Sequence, residues 1–329
     1  MSITCEIQHS DMNSHSCSSE ALYKIIVATS QKAIVDLLNK LGVHFPEYSR
    51  DLELEAHVKA VVRQWEQGNI MEPLAASALV LTTTAYSHIA SLETKLQITL
   101  FTILIGALDD PSVFESLPSR DFHRLMCGGT VRKEESVLGA FAELLSDMWA
   151  HYPLFTANTI FTSALRFINA SIAENDFAQA SLGSCTLPFV EYKRSMSATT
   201  EAYACFIWDK TSFPDVNAYI EAIPDIMLYV SYVNDILSFY KEELAGETRN
   251  YIHERASATG KTTEETLADV VCDVADAVKR IHDILGKGPA RDAWENFAAG
   301  YITVHTRSPR YRLQEVIGEK YLLDINTCC

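Results

Sequence analysis

The sequence predicts an all-α protein, and three observations carry that expectation. From Ser19 onward apolar residues recur at spacings of three and four, as in Leu22, Ile25, Ile26, Ala33, Ile34, Leu37 and Leu38, which gathers them on one helical face. Alternation of apolar and polar residues, the mark of a half-buried strand, is scarce. Proline and glycine are few, 10 and 13 of 329 residues, and they fall between the periodic segments.

The same periodicity places helices near 19–41, 51–67, 72–88, 90–109, 120–149, 153–173, 188–208, 214–222, 224–243, 263–286 and 290–305. Pro224 suits a first helical turn, and Asp225 after it is an acid where the helix dipole favours one. Thr262 and Glu265 have the spacing of a capping box. The polar stretch 244–262, with Gly246 and Gly260, reads as a mobile loop. Residues 1–18 are polar and Ser-rich and are expected to form a disordered tail. Residues 19–329 show no repeat and no linker, so a single helical domain is expected.

Composition narrows the function. Hydrophobic residues make up 48% and charged residues 21%, as in a soluble globular protein. The net charge of −16 leaves no overall basic field for nucleic acid. The eight cysteines form no CxxC pair and read as reduced thiols. The longest mostly apolar run, Ile98 to Leu108, is too short to cross a bilayer. With no apolar signal segment near its start, the chain is expected to be cytoplasmic.

One stretch carries chemistry. Asn234, Ser238 and Glu242 lie at i, i+4 and i+8, and each step of four turns a helix by only about 40°. Their oxygens therefore line one stripe. Helical side chains lean toward the N-terminus, so the long Glu242 can reach back toward the shorter two. Amide, hydroxyl and carboxylate oxygens are hard ligands of the kind Mg²⁺ prefers. The neighbours Tyr229, Val230, Val233, Ile236, Leu237 and Tyr240 are apolar or aromatic, so a polar stripe on this helix must be paired, metal-bound or cavity-lining. Asp235 points about 100° away and is expected to be a supporting residue.

A second acidic element ends the apolar run before Pro111. Pro111 disfavours helical geometry at Asp110, so the helix should stop there with Asp109 and Asp110 at its negative end. Carboxylates in that place call for a cation. Asp109 is the expected metal ligand; the roles of Asp110 and Glu115 stay open.

Together these elements resemble the class I terpene cyclases, and the trichodiene-synthase-like fungal sesquiterpene cyclases in particular. Asp109-Asp110 resembles their aspartate-rich motif. Asn234-Asp-Ile-Leu-Ser238-Phe-Tyr-Lys241-Glu242 matches their second metal motif. Arg310-Tyr311 resembles their C-terminal diphosphate-binding pair, and Arg194 their diphosphate-sensing arginine. The resemblance covers roughly residues 20–320. It implies a bundle of about ten or eleven helices around a central cavity, three Mg²⁺ ions held by Asp109, Asn234, Ser238 and Glu242, and farnesyl diphosphate as substrate. A homodimer is compatible with it. Arg194, Lys241, Arg310 and Tyr311 would bind the diphosphate, with Arg312 as a further candidate cation. Phe101, two turns before Asp109, is expected to face the cavity and stabilise a carbocation; Tyr232 and Trp208 are further aromatic candidates. A chain-elongating prenyl transferase would carry two DDxxD motifs, which this chain lacks. A non-catalytic helical binding protein of the same fold is the remaining alternative.

Overall fold

The structure is a computed structural model that describes residues 12–45, 49–65, 68–131, 137–176, 186–197 and 199–318. Among these there are fourteen α-helices and no strand. In chain order they are α1 (Met12–Leu41), α2 (Leu52–Val62), α3 (Gly68–Ala85), α4 (Leu92–Leu108), α5 (Pro111–Ser116), α6 (Phe122–Cys127) and α7 (Val137–His151). Then follow α8 (Leu154–Asp176), α9 (Leu187–Ser197), α10 (Thr200–Cys205), α11 (Ile223–Ala245), α12 (Tyr251–Thr259), α13 (Thr263–Leu285) and α14 (Pro289–Arg307). No helix among the described residues is long and apolar enough to cross a membrane.

Local chemistry sets many of the ends. Asp51 caps α2 by accepting from Leu54 N, and Ser91 caps α4 by accepting from Thr94 N. Thr262 and Glu265 form the expected reciprocal capping box at α13. Gly246 and Gly260 take left-handed conformations, φ 73° and 68°, just past α11 and α12. They are helix terminators, not markers of a loop.

Several expected boundaries are corrected. α1 starts at Met12, so helical hydrogen bonding propagates into part of the expected tail; residues 1–11 lie outside the described residues. The span 120–149 is broken where Gly128 and Gly129 end α6, with Gly129 at φ 62°. The span 188–208 is split into α9 and α10 at Thr199, a buried β-branched residue at φ 45°. Such a conformation is costly away from glycine. The span 214–222 is two 3₁₀ turns. The expected loop 244–262 contains α12, capped by Asn250 and anchored by buried Tyr251, Ile252 and Ala256.

α4 and α11 are buried along most of their length, and α3 and α14 pack beside them. α14 meets α3 closely at Gly300, where an added Cβ would lie 2.4 Å from the Thr84 carbonyl carbon. α13 forms an outer layer through Leu267, Val270, Val271, Val274, Ala277 and Ile281. α1 and the segment after α14 meet on α11. Tyr23 Oη lies 3.3 Å from Tyr240 Oη, Tyr240 donates to Glu315 at 2.9 Å, and Arg312 clasps Glu315 through two nitrogens.

Candidate active site

α4 ends at Asp109, whose side chain lines the cavity mouth. Asp110 does not join it. Its carboxylate turns away to cap α5, accepting from Ser112 N at 2.8 Å and Ser112 Oγ at 2.6 Å, with Pro111 in the first turn. Those bonds hold its pKa below the usual carboxylate value. Glu115 does not fold back either: Arg120 grips both its oxygens and also binds Asp176. The acidic element therefore contributes one carboxylate to the site. Burial raises the Asp109 pKa, while Arg310 and Arg194 pull the other way.

α11 supplies the opposite wall. Asn234 and Glu242 line the same cavity as Asp109, and Lys241 Nζ lies 3.0 Å from Glu242 Oε1. Ser238 lies between the two on this stripe and is buried. Arg194, from α9, is fixed against α11. Its Nε donates to Asp235 at 2.9 Å, and its Nη2 to Ser231 O at 3.1 Å and Asn234 Oδ1 at 3.3 Å. Asp235 is thus the arginine's holder, as its place on the helix suggested. Burial pushes the Asp235 carboxyl up to about 6, against the pull of Arg194. Burial also works against the Arg194 charge, but Asp235, with Tyr301 and Glu242, leaves the guanidinium's pKa raised.

Two connected chambers result. The outer one, about 730 Å³, is ringed by Asp109, Glu174, Lys193, Arg194, Asn234, Glu242, Arg310 and Tyr311. The inner one, about 240 Å³, shares Asp109, Asn234, Arg310 and Tyr311 with it and runs down between Leu74, Leu81, Ile105, Phe167, Val230 and Val304. Among the described residues Arg310 has no ion-pair partner, which leaves a cation free at the junction of the chambers. Arg312 faces elsewhere, bound to Glu315 in a left-handed conformation.

The expectation for Phe101 is corrected. It is fully buried among Phe141, Tyr203 and Phe206, with centroids 5.0–6.1 Å away, and does not line either chamber. Eight residues carry a helix about 80° past two full turns, so Phe101 misses the Asp109 face. Thr102, seven residues before Asp109, holds that register and lines the inner chamber with Ile105 and Gly106. Tyr232 and Trp208 are also held elsewhere: Tyr232 binds Glu191 and stacks on Tyr251, and Trp208 stacks on Tyr219. The aromatic residues that do line the inner chamber are Phe167, Tyr203, Tyr301 and Tyr311.

Sequence reasoning also missed His305. The ring is buried at the end of α14 between Tyr301 and Tyr311, with Nε2 3.1 Å from Asn234 Nδ2. Burial pushes its pKa down to about 4. The i, i+4 spacing of Tyr301 and His305, followed by Arg310-Tyr311, was the available signal.

A helical bundle with a polar mouth above an apolar well is the architecture of a class I terpene synthase. A solved linalool/nerolidol synthase from Streptomyces clavuligerus shares the fold, with a TM-score of 0.58 at 16% identity over 80% of this chain and 98% of that one. The chain belongs to the trichodiene synthase (TRI5) family, whose model matches residues 69–326. Among its relatives, Monoterpene synthase 25 of Postia placenta is 60% identical over 88% of each chain. Terpene synthase 29 of the same fungus is 41% identical over 89% of this chain and 86% of that one. The chain is therefore a terpene synthase, an enzyme of the lyase type that acts on a prenyl diphosphate. These matches do not favour a chain-elongating transferase or a non-catalytic binder.

Proposed function

We propose that this enzyme ionises farnesyl diphosphate in a Mg²⁺-dependent step and cyclises the resulting allylic cation to a polycyclic hydrocarbon or alcohol. The observation that carries this reading is the pairing of the two chambers. Acids and cations meet at the mouth, and apolar and aromatic walls lie directly beneath.

Class I terpene synthases use Mg²⁺, and the donor set here suits it. Asp109, Asn234, Ser238 and Glu242 offer only hard oxygen atoms. Among the described residues no three His, Cys, Asp or Glu side chains come together as a metal site of their own. That fits ions shared between protein and substrate phosphate, which is how Mg²⁺ is commonly held. Three ions are expected. Bound there, Mg²⁺ would offset the negative charge that grows on the departing diphosphate.

The protein's own groups do the rest. Arg194, Lys241 and Arg310 bind the diphosphate oxygens, and the Tyr311 hydroxyl donates a hydrogen bond to them. Leu74, Ile105, Val230 and Val304 shape the prenyl chain and keep water from the cation. The faces of Phe167, Tyr203 and Tyr301 offer quadrupole stabilisation. In this reading Phe101 serves the core.

A second reading takes geranyl diphosphate as substrate, and the 60% relative named a monoterpene synthase favours it. Purified protein incubated separately with the C10, C15 and C20 diphosphates and Mg²⁺ decides between them. Cyclic C15 products at the highest kcat/KM are expected; a preference for the C10 substrate replaces the farnesyl reading. Asn234→Ala and Glu242→Ala should each raise the Mg²⁺ requirement and lower turnover. Undiminished activity in both would remove α11 from the metal site. We further place the enzyme in the cytoplasm, with a dimer to be sought by light scattering.

A further inference from the structure

Among the proposed metal ligands, Asn234 alone has a side chain that can be presented the wrong way round. Only its amide oxygen can bind a cation; the amide nitrogen carries two hydrogens. Something must set that choice before the ion arrives.

His305 sets it by elimination. Its Nδ1 lies 2.8 Å from the carbonyl oxygen of Tyr301, and a carbonyl only accepts, so Nδ1 carries the hydrogen. The ring is 2% exposed, and among the described residues no carboxylate bonds to it. An imidazole so placed is neutral. Its Nε2 is therefore an acceptor, and the atom it meets at 3.1 Å must be the Asn234 nitrogen. The amide oxygen is turned to the other side, where Arg194 Nη2 donates to it at 3.3 Å and the cavity opens. The imidazole cannot readily swing away, because Tyr301 and Tyr311 flank it with centroids 4.8 and 4.4 Å distant.

We propose that His305 is a positioning residue that locks the Asn234 amide with its oxygen facing the metal and its nitrogen facing the helix bundle. The proposal rests on the reading of Asn234 as a ligand. It deepens that reading by assigning to a residue of α14 a role exercised through Asn234. A reversed amide would set its oxygen against the Nε2 lone pair and its hydrogens toward the cation, unfavourable at both ends.

The test follows Mn²⁺ binding to the full chain with inorganic diphosphate, reading free Mn²⁺ by electron paramagnetic resonance. Removing a group that orients a ligand costs about ten-fold or more in metal affinity, so His305→Ala should weaken binding by about that factor. His305→Phe, which keeps the ring packing but offers no acceptor, should lose as much and guards against a folding defect. In an Asn234→Asp background either oxygen can face the ion, and adding His305→Ala should then change affinity by less than about three-fold. An equal loss in both backgrounds would mean that His305 only packs, and would overturn the proposal. So would unchanged affinity in His305→Phe. If the unmutated enzyme binds no Mn²⁺ with diphosphate, the ligand reading of Asn234 fails instead. The orientation is read separately by ¹⁵N chemical shifts of His305 in the metal-free enzyme, which should report hydrogen on Nδ1. Hydrogen on Nε2 would overturn the lock whatever the metal does.

Discussion

Replacing Gly300 by alanine puts a methyl group between α14 and α3. The new Cβ would stand 2.4 Å from both the carbonyl carbon and the oxygen of Thr84, and 2.5 Å from Ala85 Cα. Non-bonded carbons prefer about 3.5–4.0 Å, so the helices must part by about 1 Å. Overpacking a core costs about 1–3 kcal/mol, and the upper end applies because backbone cannot rotate aside. Alanine's better helix propensity offsets about 1 kcal/mol. A net loss of about 2 kcal/mol is expected. Gly106→Ala is the control. Its Cβ meets only the end of the Leu74 side chain at 3.3 Å, so propensity should leave that variant as stable as the parent or slightly more so. Urea unfolding followed by tryptophan fluorescence measures both. Gly300→Ala as stable as Gly106→Ala would refute the close-approach argument. There is a functional corollary. Leu74, Ser77 and Leu81 on α3 and Tyr301, Val304 and His305 on α14 all line the inner chamber. The folded fraction of Gly300→Ala should therefore give an altered product mixture by gas chromatography.

Other outcomes follow from the same coordinates. Phe101→Ala should cost about 3–5 kcal/mol in denaturant unfolding, as for a fully buried aromatic, while the surviving enzyme keeps its product profile. Phe167→Ala, on the chamber wall, should change that profile; the reverse pattern would restore Phe101 to the cavity. Glu115→Gln should leave the Mg²⁺ dependence of turnover unchanged, because Arg120 already holds that carboxylate; a raised Mg²⁺ requirement would make Glu115 a ligand. Asp235→Ala should destabilise the metal-free protein by about 3 kcal/mol, the low end for one partner of a buried pair, since the chamber admits water to Arg194. Calorimetry with and without diphosphate checks it: the anion should recover more stability in the variant than in the parent.

What could be read from the sequence was whatever short-range geometry determines. The Asn234/Ser238/Glu242 stripe depends only on the helical repeat, and α11 does run unbroken from Ile223 to Ala245. The end of α4 at Asp109 follows from Pro111, and the capping box at α13 from Thr262 and Glu265. Phe101 shows how fine that geometry is, since one residue's rotation along α4 decides which face it occupies. The remaining misses were non-local. The spacing of Tyr301 and His305 hints at a site on α14, but its partner Asn234 is 71 residues away and comes beside it only when α14 and α11 pack. Glu115 looked available until Arg120 and Asp176 came beside it. Gly246 and Gly260 marked real helix ends, but the helix between them needed the burial of Tyr251 and Ile252 to be recognised.

The hydroxyl of Tyr240 joins α1 to the segment that follows α14. Tyr23 reaches it from α1, Glu315 from beyond α14, and Tyr240 itself is on the helix that presents Asn234 and Glu242. Tyr23 and Glu315 thus act as a single fastener on the backbone of the metal stripe. A protein shortened at its start past Tyr23, or at its end before Glu315, would loosen the same helix from opposite sides. Trimming for crystallisation or fusion should leave both of those residues in place.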